Sequence, residues 1–295
     1  MIFLVIFFPL ALFVWAAWIE PRWFHLNHHS VLISKKLVRP LRILHLSDIH
    51  FSGHHAPLFR FIDRLAREDV DFVFISGDIV DSNPGIAHCI RHLKKLKPRH
   101  GVFAVLGNHD YYDYRIRDVI NGNLTLGRHL PKKRINTERL VRELESIGIQ
   151  VLRNESYAIS LEGTRILIHG LDDPTTGKAD FGAIKNKMDR TAINILLTHS
   201  VDAFFHLDEG RIDLSFSGHS HGGQIRFPWI GPVVTHTRLG RQYADGIKLF
   251  KGAVCSISRG IYAGRAFRLR FLCPPEAIVL EVASRQSSSK VSSGV

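Results

Sequence analysis

Seven side chains able to bind a metal ion occur in five short clusters, and each cluster directly follows an apolar run of the chain. They are Asp48, His50, Asp78, Asn108, His199, His219 and His221. Carboxylate, amide and imidazole donors without a thiolate suit manganese, iron or zinc better than magnesium alone. Two such cations could clamp the oxygens of a phosphoryl group on both sides of an in-line displacement. The residue types therefore predict a site for divalent cations, with manganese as the expected ion and iron or zinc as alternatives.

Short strands alternating with helices would position these clusters. Apolar runs rich in β-branched and aromatic residues predict strands at 42–47, 71–76 and 101–106. Helical spacing of apolar residues predicts helices at 56–68 and 85–96 between them. Strand, helix, strand, helix, strand is the pattern of a parallel α/β sheet.

The second half of the chain continues this pattern. An amphipathic helix is predicted at 137–147, and further strands at 157–161, 165–169, 193–198 and 214–217. Ligands of open α/β sheets bind at the carboxyl ends of the strands. Five strands would therefore deliver the five clusters to one rim. Glycine precedes Asp78, Asn108 and His219, so no Cβ lies in the way of these ligands.

The clusters match known motifs in order. D-x-H lies at 48–50, G-D-x-x-D at 77–81, G-N-H-D at 107–110, a lone histidine at 199 and G-H-x-H at 218–221. By these motifs, over about residues 42–282, the chain resembles the calcineurin-like metallophosphoesterases. The resemblance implies an α/β fold: a four-layer α-β-β-α sandwich of two mixed sheets flanked by helices. It also implies a dinuclear metal site, and therefore a two-metal phosphoesterase.

Roles follow from the same resemblance. The first metal would be bound by Asp48, His50 and His221, and the second by Asn108, His199 and His219, with Asp78 as the bridge. His109 would donate the proton to the leaving oxygen, oriented by Asp81. An imidazole that titrates near neutrality suits this task. The alternative is a structural role for His109.

The amino-terminal segment is apolar and predicts a membrane anchor at 1–22. Residues 2–19 carry no charge, and this length is at the lower edge for crossing a hydrocarbon layer of about 30 Å. Trp15, Trp18 and Trp23 would form an interfacial belt. Basic residues follow the segment, which predicts a catalytic domain on the cytoplasmic side of a bacterial inner membrane. A cleaved signal peptide is the alternative.

The remaining chain is divided into three further parts. We predict a linker at 23–40, the phosphoesterase domain at 41–283 and a disordered polar tail at 284–295. The basic stretch 111–136 is expected to be an insertion that forms a lid or contacts a membrane, or else a solvated loop. Three cysteines without paired spacing exclude a disulfide framework and a cysteine zinc site.

The net charge of +12 favours binding to an anionic partner. Because the basic residues are spread along the chain, they suit a membrane surface and a phosphorylated lipid or nucleotide-lipid, and nucleic acid is not expected. Arg259 and Arg270 are candidates for phosphate contacts, since guanidinium groups bind such oxygens bidentately. Ion pairing within the protein is the equal alternative for both.

Two further stretches, at 218–228 and 258–276, resemble the membrane-associated branch of the family. That branch contains bacterial phosphodiesterases and the chlamydial-type UDP-2,3-diacylglucosamine pyrophosphatase of lipid A synthesis. The resemblance implies hydrolysis of that nucleotide-lipid to lipid X and UMP. A broader phosphodiesterase acting on another phospholipid or envelope phosphodiester is the alternative, and a metal-binding scaffold without catalysis is a third possibility.

Overall fold

The computed structural model describes residues 2–115, 118, 131, 133–262 and 268–285, with only the backbone of residues 2–7. Helices in these ranges are α1 (Ile2–Val14), α2 (Ala56–Leu65), α3 (Gly85–Leu93), α4 (Thr137–Ser146) and α5 (Phe181–Lys185). The first strands are β1 (His25–Ile33), β2 (Leu41–Leu46), β3 (Phe72–Ser76), β4 (Val102–Val105), β5 (Ile149–Val151), β6 (Glu155–Leu161) and β7 (Thr164–Gly170). The later strands are β8 (Ile193–Ser200), β9 (Leu214–Gly218), β10 (Arg226–Phe227), β11 (Gly231–Pro232), β12 (Gly246–Phe250), β13 (Ala253–Ile257) and β14 (Glu276–Ser284).

The strands form two mixed sheets. The first has the order β1-β14-β2-β3-β4-β5, in which only the β14–β2 pair is antiparallel. The second has the order β12-β13-β9-β8-β7-β6, with an antiparallel pair at each end and parallel pairs between. Strands β10 and β11 form a separate hairpin. This topology confirms the predicted α/β class with two mixed sheets.

Apolar side chains fill three layers around these sheets. The layer between the sheets contains aromatic and aliphatic residues such as Phe74, Phe103, Ile195 and Phe216. The layer under α2, α3 and α4 includes Leu58, Ile86 and Leu140. The layer outside the second sheet includes Leu196, Ile184 of α5 and Phe204. The outermost layer on that side includes the short helix α5 and 3₁₀ turns at Val201–His206 and Arg241–Tyr243.

The predicted linker at 23–40 is wrong in part, because it contains a strand of the first sheet. Strand β1 pairs in parallel with β14, from His25 opposite Glu276 to Ile33 opposite Ser284. The side chain of Ile33 is buried between the sheets. Most of β1 is exposed or half-buried, as an edge strand is. Because β1 is rich in polar residues, it lacks the apolar run by which the other strands were predicted. Strand β14 also extends one residue beyond the predicted end of the domain.

The amino-terminal segment consists of α1, with Pro9 inside it, a π-helical turn at Trp15–Ile19 and a 3₁₀ turn at Glu20–Arg22. Among the described residues, no helix combines the length and the apolar character that a membrane crossing requires. The carboxylate of Glu20 accepts hydrogen bonds from the indole of Trp15 (2.7 Å) and the backbone N–H groups of Leu272 (3.1 Å) and Cys273. These bonds attach the segment to the domain.

Two predicted features lie mostly or wholly outside the described residues. The basic insertion at 111–136 is described only at 111–115, 118, 131 and 133–136. The predicted tail is described only at its first two residues, where β14 ends at Ser284 and a turn follows at Arg285.

Candidate metal centre

The loops after β2, β3 and β9 hold their ligand residues in a left-handed backbone conformation. Residues with φ between 49° and 69° there are Asp48, His50, Asp78, His219 and His221. Non-glycine residues adopt this region rarely, and such strain concentrates at functional sites. Backbone bonds from the N–H of Asp48 to the carbonyl of Gly77 (3.1 Å) and from His50 to Asp78 (3.0 Å) continue the β2–β3 pairing beyond the strands. The strained loops are therefore fixed to each other.

Four predicted ligands converge on one point. The ligand atoms of Asp48, His50, Asp78 and His221 all lie within 4.8 Å of one another. His50 Nε2 is 3.6 Å from Asp78 Oδ2, and His221 Nε2 is 3.6 Å from Asp48 Oδ1. The Ser47 hydroxyl donates to Asp48 Oδ2 (2.6 Å) and orients that carboxylate. This group contains the three residues predicted for the first metal, together with the predicted bridge.

Two of the residues predicted for the second metal, His199 and His219, also lie beside Asp78. His199 Nε2 is 3.2 Å from Asp78 Oδ2 and 3.1 Å from His219 Nδ1. His199 Nδ1 donates to the carbonyl of Ser76 (2.9 Å), so in the neutral imidazole Nε2 carries the lone pair. Asp78 Oδ2 thus faces one imidazole from each predicted set, which is the position that a bridging carboxylate needs.

Several buried polar atoms of the site have no hydrogen-bond partner in the protein, and they show whether the site suits cations. Such atoms include both ring nitrogens of His50, the amide oxygen of Asn108 and Nδ1 of His221. A buried acceptor left unsatisfied destabilises a fold, and natural proteins rarely tolerate it. Divalent cations would satisfy these donor types, which are nitrogen and oxygen without sulfur. The residues present therefore fit a dinuclear centre.

The protonation states of three predicted histidine ligands also suit metal binding, whereas for the fourth, His199, nearby carboxylates, Asp78 first, outweigh burial and raise the pKa well above its usual value. Burial lowers the pKa of His50 to about 4 and lowers the pKa of His219 and His221 well below the usual value. These imidazoles are therefore neutral, which is the form that coordinates. Burial also opposes ionisation of Asp78, but the neighbouring imidazoles, His199 first, outweigh it and hold the pKa of Asp78 well below its usual value. Asp78 is thus an anion at neutral pH.

His109 and Asp81 form a pair beside the ligands. His109 Nδ1 is 2.8 Å from Asp81 Oδ1, and the backbone N–H of His109 donates to Asp78 Oδ1 (2.8 Å). Burial alone would lower the pKa of His109, but the carboxylates of Asp78 and Asp81 raise it to about 9. The imidazolium form therefore persists at neutral pH, with Nδ1 held by Asp81. This is the arrangement predicted for the proton donor.

At two of the glycines, neighbouring side chains approach the backbone so closely that no Cβ fits. A Cβ at Gly107 would overlap Asp78 Oδ1, and a Cβ at Gly218 would overlap the side chains of Ser47 and Asp48. No side chain fits at either position without displacing a ligand. The predicted reason for these glycines, room for ligands at the rim, is confirmed at both.

Asp110 and Asp173 are buried carboxylates near the ligands to which the sequence reasoning gave no role. Asp110 accepts hydrogen bonds from the backbone N–H groups of Val80 and Gly107 (both 2.9 Å) and so ties two ligand loops together. Burial raises the pKa of Asp173, while nearby His199 opposes the rise. Asp173 follows the end of β7 just as the predicted ligands follow their strands, so the same positional rule applies to it.

Two tyrosines beside the site were also missed. The ring of Tyr114 stacks on His109, with centroids 4.4 Å apart. The hydroxyl of Tyr111 donates to both carboxylate oxygens of Asp172 at 2.7 and 2.8 Å. Both residues lie within four positions after the G-N-H-D motif, where the sequence offered only aromatic residues at the start of a basic stretch.

The two candidate arginines are engaged by the protein. Arg270 is fully buried, and its guanidinium donates to the carbonyls of Cys273 (3.1 Å), Arg259 (2.9 Å) and Gly260 (3.3 Å). Arg259 pairs with Glu276 (2.5 Å). These contacts correspond to the intramolecular alternative, and a phosphate contact by either arginine stays a prediction.

The comparison with protein families settles the class of this site. The model of the calcineurin-like phosphoesterases matches residues 41–223, which include every ligand described above. The chain belongs to the calcineurin-like phosphoesterase family. It is therefore a phosphoester hydrolase, and the third possibility, a scaffold without catalysis, is set aside.

Relatives of this phosphoesterase align over most of their length. The uncharacterized metallophosphoesterase YkuE of Bacillus subtilis is 28% identical over 92% of this chain and 89% of its own. UDP-2,3-diacylglucosamine pyrophosphatase LpxG of Chlamydia trachomatis is 28% identical over 92% of this chain and 93% of its own. Phosphodiesterase YaeI of Escherichia coli is 27% identical over 89% and 90%.

In hydrolysis at this site, the cations, Asp78 and His109 would each have a different task. Two divalent cations, when bound, supply positive charge to the phosphoryl oxygens and an acidified water. Asp78 would provide a negative charge between the two predicted ligand sets, and this charge would offset the repulsion between two bound cations. His109, held at Nδ1 by Asp81, can give the proton of its other ring nitrogen to the leaving oxygen.

Proposed function

We propose that this phosphoesterase hydrolyses the pyrophosphate of UDP-2,3-diacylglucosamine to 2,3-diacylglucosamine 1-phosphate (lipid X) and UMP, in lipid A synthesis. The similarity to LpxG carries the proposal. It covers 92% of the chain and therefore extends past residue 223, where the family match ends. Water adds across the P–O–P linkage, one P–O bond breaks, and the departing oxygen takes the proton of His109.

The proposal includes two manganese ions as cofactors. A donor set of imidazole nitrogens with carboxylate and amide oxygens favours manganese, iron or zinc, and oxygen-rich sites move the preference towards manganese. Asp48, Asp78 and Asn108 supply the oxygen donors of this site.

We further propose that residues 1–22 anchor the protein in a bacterial inner membrane, with the catalytic domain in the cytoplasm. The uncharged run 2–19 and the basic residues after it support this orientation. The net charge of +12 favours binding to acidic headgroups and to a nucleotide-lipid that carries a diphosphate.

A second candidate function is a broader phosphodiesterase that acts on another phospholipid or an envelope phosphodiester. The similarity to phosphodiesterase YaeI, over 89% of this chain, favours it nearly as well as LpxG favours the first. The two candidates share the metal centre and differ only in the groups joined to the phosphorus.

The test is to incubate the full-length protein with Mn²⁺ and UDP-2,3-diacylglucosamine in detergent and to measure UMP and lipid X by mass spectrometry. Asp78→Ala, assayed in parallel, is the inactive control. We expect both products in equal amounts with the unaltered protein. Rapid cleavage of an aryl phosphodiester without release of UMP would refute the nucleotide-lipid and retain the phosphodiesterase. Absence of both activities would refute the reaction itself.

A further inference from the structure

The hairpin of β10 and β11 presents apolar side chains to solvent. Trp229 at its tip is fully exposed, and Ile230 beside it is 60% exposed. Phe227, Val233 and Val234 on either side of the tip are exposed as well. An exposed apolar surface of this kind indicates an interaction site, because contact between apolar side chains and water is unfavourable.

The hairpin lies beside the amino-terminal segment, joined to it through residues 270–273. On one side, Phe271 exchanges backbone hydrogen bonds with Gln224 and Arg226 (both 2.9 Å), and its ring contacts Phe227 at 6.2 Å between centroids. On the other side, the N–H of Arg270 donates to the carbonyl of Ala16 (2.9 Å). One short strip of chain thus holds both apolar elements.

Each apolar element carries an exposed arginine next to its large side chains. The guanidinium of Arg22 lies 5.1 Å from the ring of Trp18 and donates to the Trp18 carbonyl. Arg241 donates to the carbonyl of Ile230 (3.5 Å) at the tip of the hairpin. Tryptophan with arginine at the edge of an apolar surface is the composition of segments that lie at a membrane–water interface.

We infer that the β10–β11 hairpin is a second membrane-contacting element, which inserts Trp229 and Ile230 into the boundary between headgroups and acyl chains of a bilayer with acidic lipids. The apolar tip would leave water, and Arg241 would remain at the level of the phosphates. This inference rests on the proposed membrane anchoring by residues 1–22 and not on the identity of the substrate.

The hairpin also connects the membrane surface to the metal centre. Arg226, the first residue of β10, lies five positions after the ligand His221. The thiol of Cys273, within the joining strip, donates to the carbonyl of His221 (3.4 Å). A bilayer that holds the hairpin and the strip would therefore hold the ligand loop near the lipid surface, where a phosphorylated lipid is presented.

An environment-sensitive fluorophore at the tip tests the inference in the full-length protein. Trp229→Cys would be labelled with a nitrobenzoxadiazole maleimide, and Leu249→Cys, an exposed apolar position on β12, is the matched control. The three native cysteines, Cys89, Cys255 and Cys273, are free and buried, so labelling is directed to the introduced thiol. Each protein is then incorporated into phosphatidylethanolamine–phosphatidylglycerol vesicles.

We expect the label at position 229 to shift its emission to shorter wavelength and to be quenched by brominated acyl chains, and the label at 249 to do neither. Water-like emission at both positions in protein that floats with the vesicles would overturn the inference. A blue shift at 229 without lipid that grows with protein concentration would also overturn it, because the hairpin would then bind a second copy of the chain.

Discussion

At the scale of residues, the contrast between neighbouring histidines is the feature that defines the chemistry. Burial lowers the pKa of His50 to about 4 and leaves it neutral, as a ligand must be. Against the effect of burial, the carboxylates of Asp78 and Asp81 raise the pKa of His109 to about 9. The rings of the two histidines are only 4.5 Å apart. The direct hydrogen bond to Asp81, which His50 lacks, therefore stabilises the imidazolium of the predicted acid His109.

We expect Asp81→Asn to narrow the active pH range from the alkaline side. Loss of the Asp81 charge removes a contribution that raises the pKa of His109, so the imidazolium gives up its proton at a lower pH. The alkaline limb of the profile of kcat/KM against pH should therefore move to lower pH. The substrate should be an alkyl phosphodiester, whose poor leaving group needs a proton. Asp180→Asn, at the N-cap of α5, is the control and should leave the limb unmoved.

An alkaline limb that is identical in Asp81→Asn and the unaltered protein would show that Asp81 does not act on the ionisation of His109. The assignment of His109 as the acid would then lose its electrostatic support.

At the scale of elements, the sequence predicts where the buried strands end, but it does not predict the edge strand β1 of the first sheet. Asp48, Asp78 and His199 follow apolar runs that are buried on both faces, so composition alone marks where each run ends. Strand β1 is half-exposed and rich in histidine, so its only signal is its pairing with β14, which is more than 240 residues away. The backbone conformation of the ligand loops, and the contacts of Arg270, depend on tertiary structure in the same way.

We expect removal of residues 1–34 to lower Tm by more than about 5 °C relative to removal of residues 1–22. Both truncations lose the contacts of Glu20, but only the longer one deletes β1. That deletion exposes the edge of β14 and removes Ile33 from the core between the sheets. Thermal unfolding followed by circular dichroism measures the difference. Equal Tm values would mean that β1 contributes nothing to the fold.

At the scale of the whole molecule, the metal centre lies where the two sheets meet. Asp48, His50, Asp78 and Asn108 come from loops of the first sheet, and His199, His219 and His221 come from the second. The hairpin after His221 and the strip 270–273 then connect this centre to the apolar amino-terminal segment. The fold thus brings together, in one region, the predicted cation ligands, the predicted proton donor and the proposed contact with lipid.

The most direct test of this account is the number of Mn²⁺ ions that each chain binds after chelation, measured together with phosphodiester hydrolysis. We expect two ions per chain, with hydrolysis absent before they bind. Asp78→Ala should lose metal and activity, whereas His109→Ala should keep both ions and lose activity. Full hydrolysis by the metal-free protein, or two bound ions in Asp78→Ala, would contradict the account.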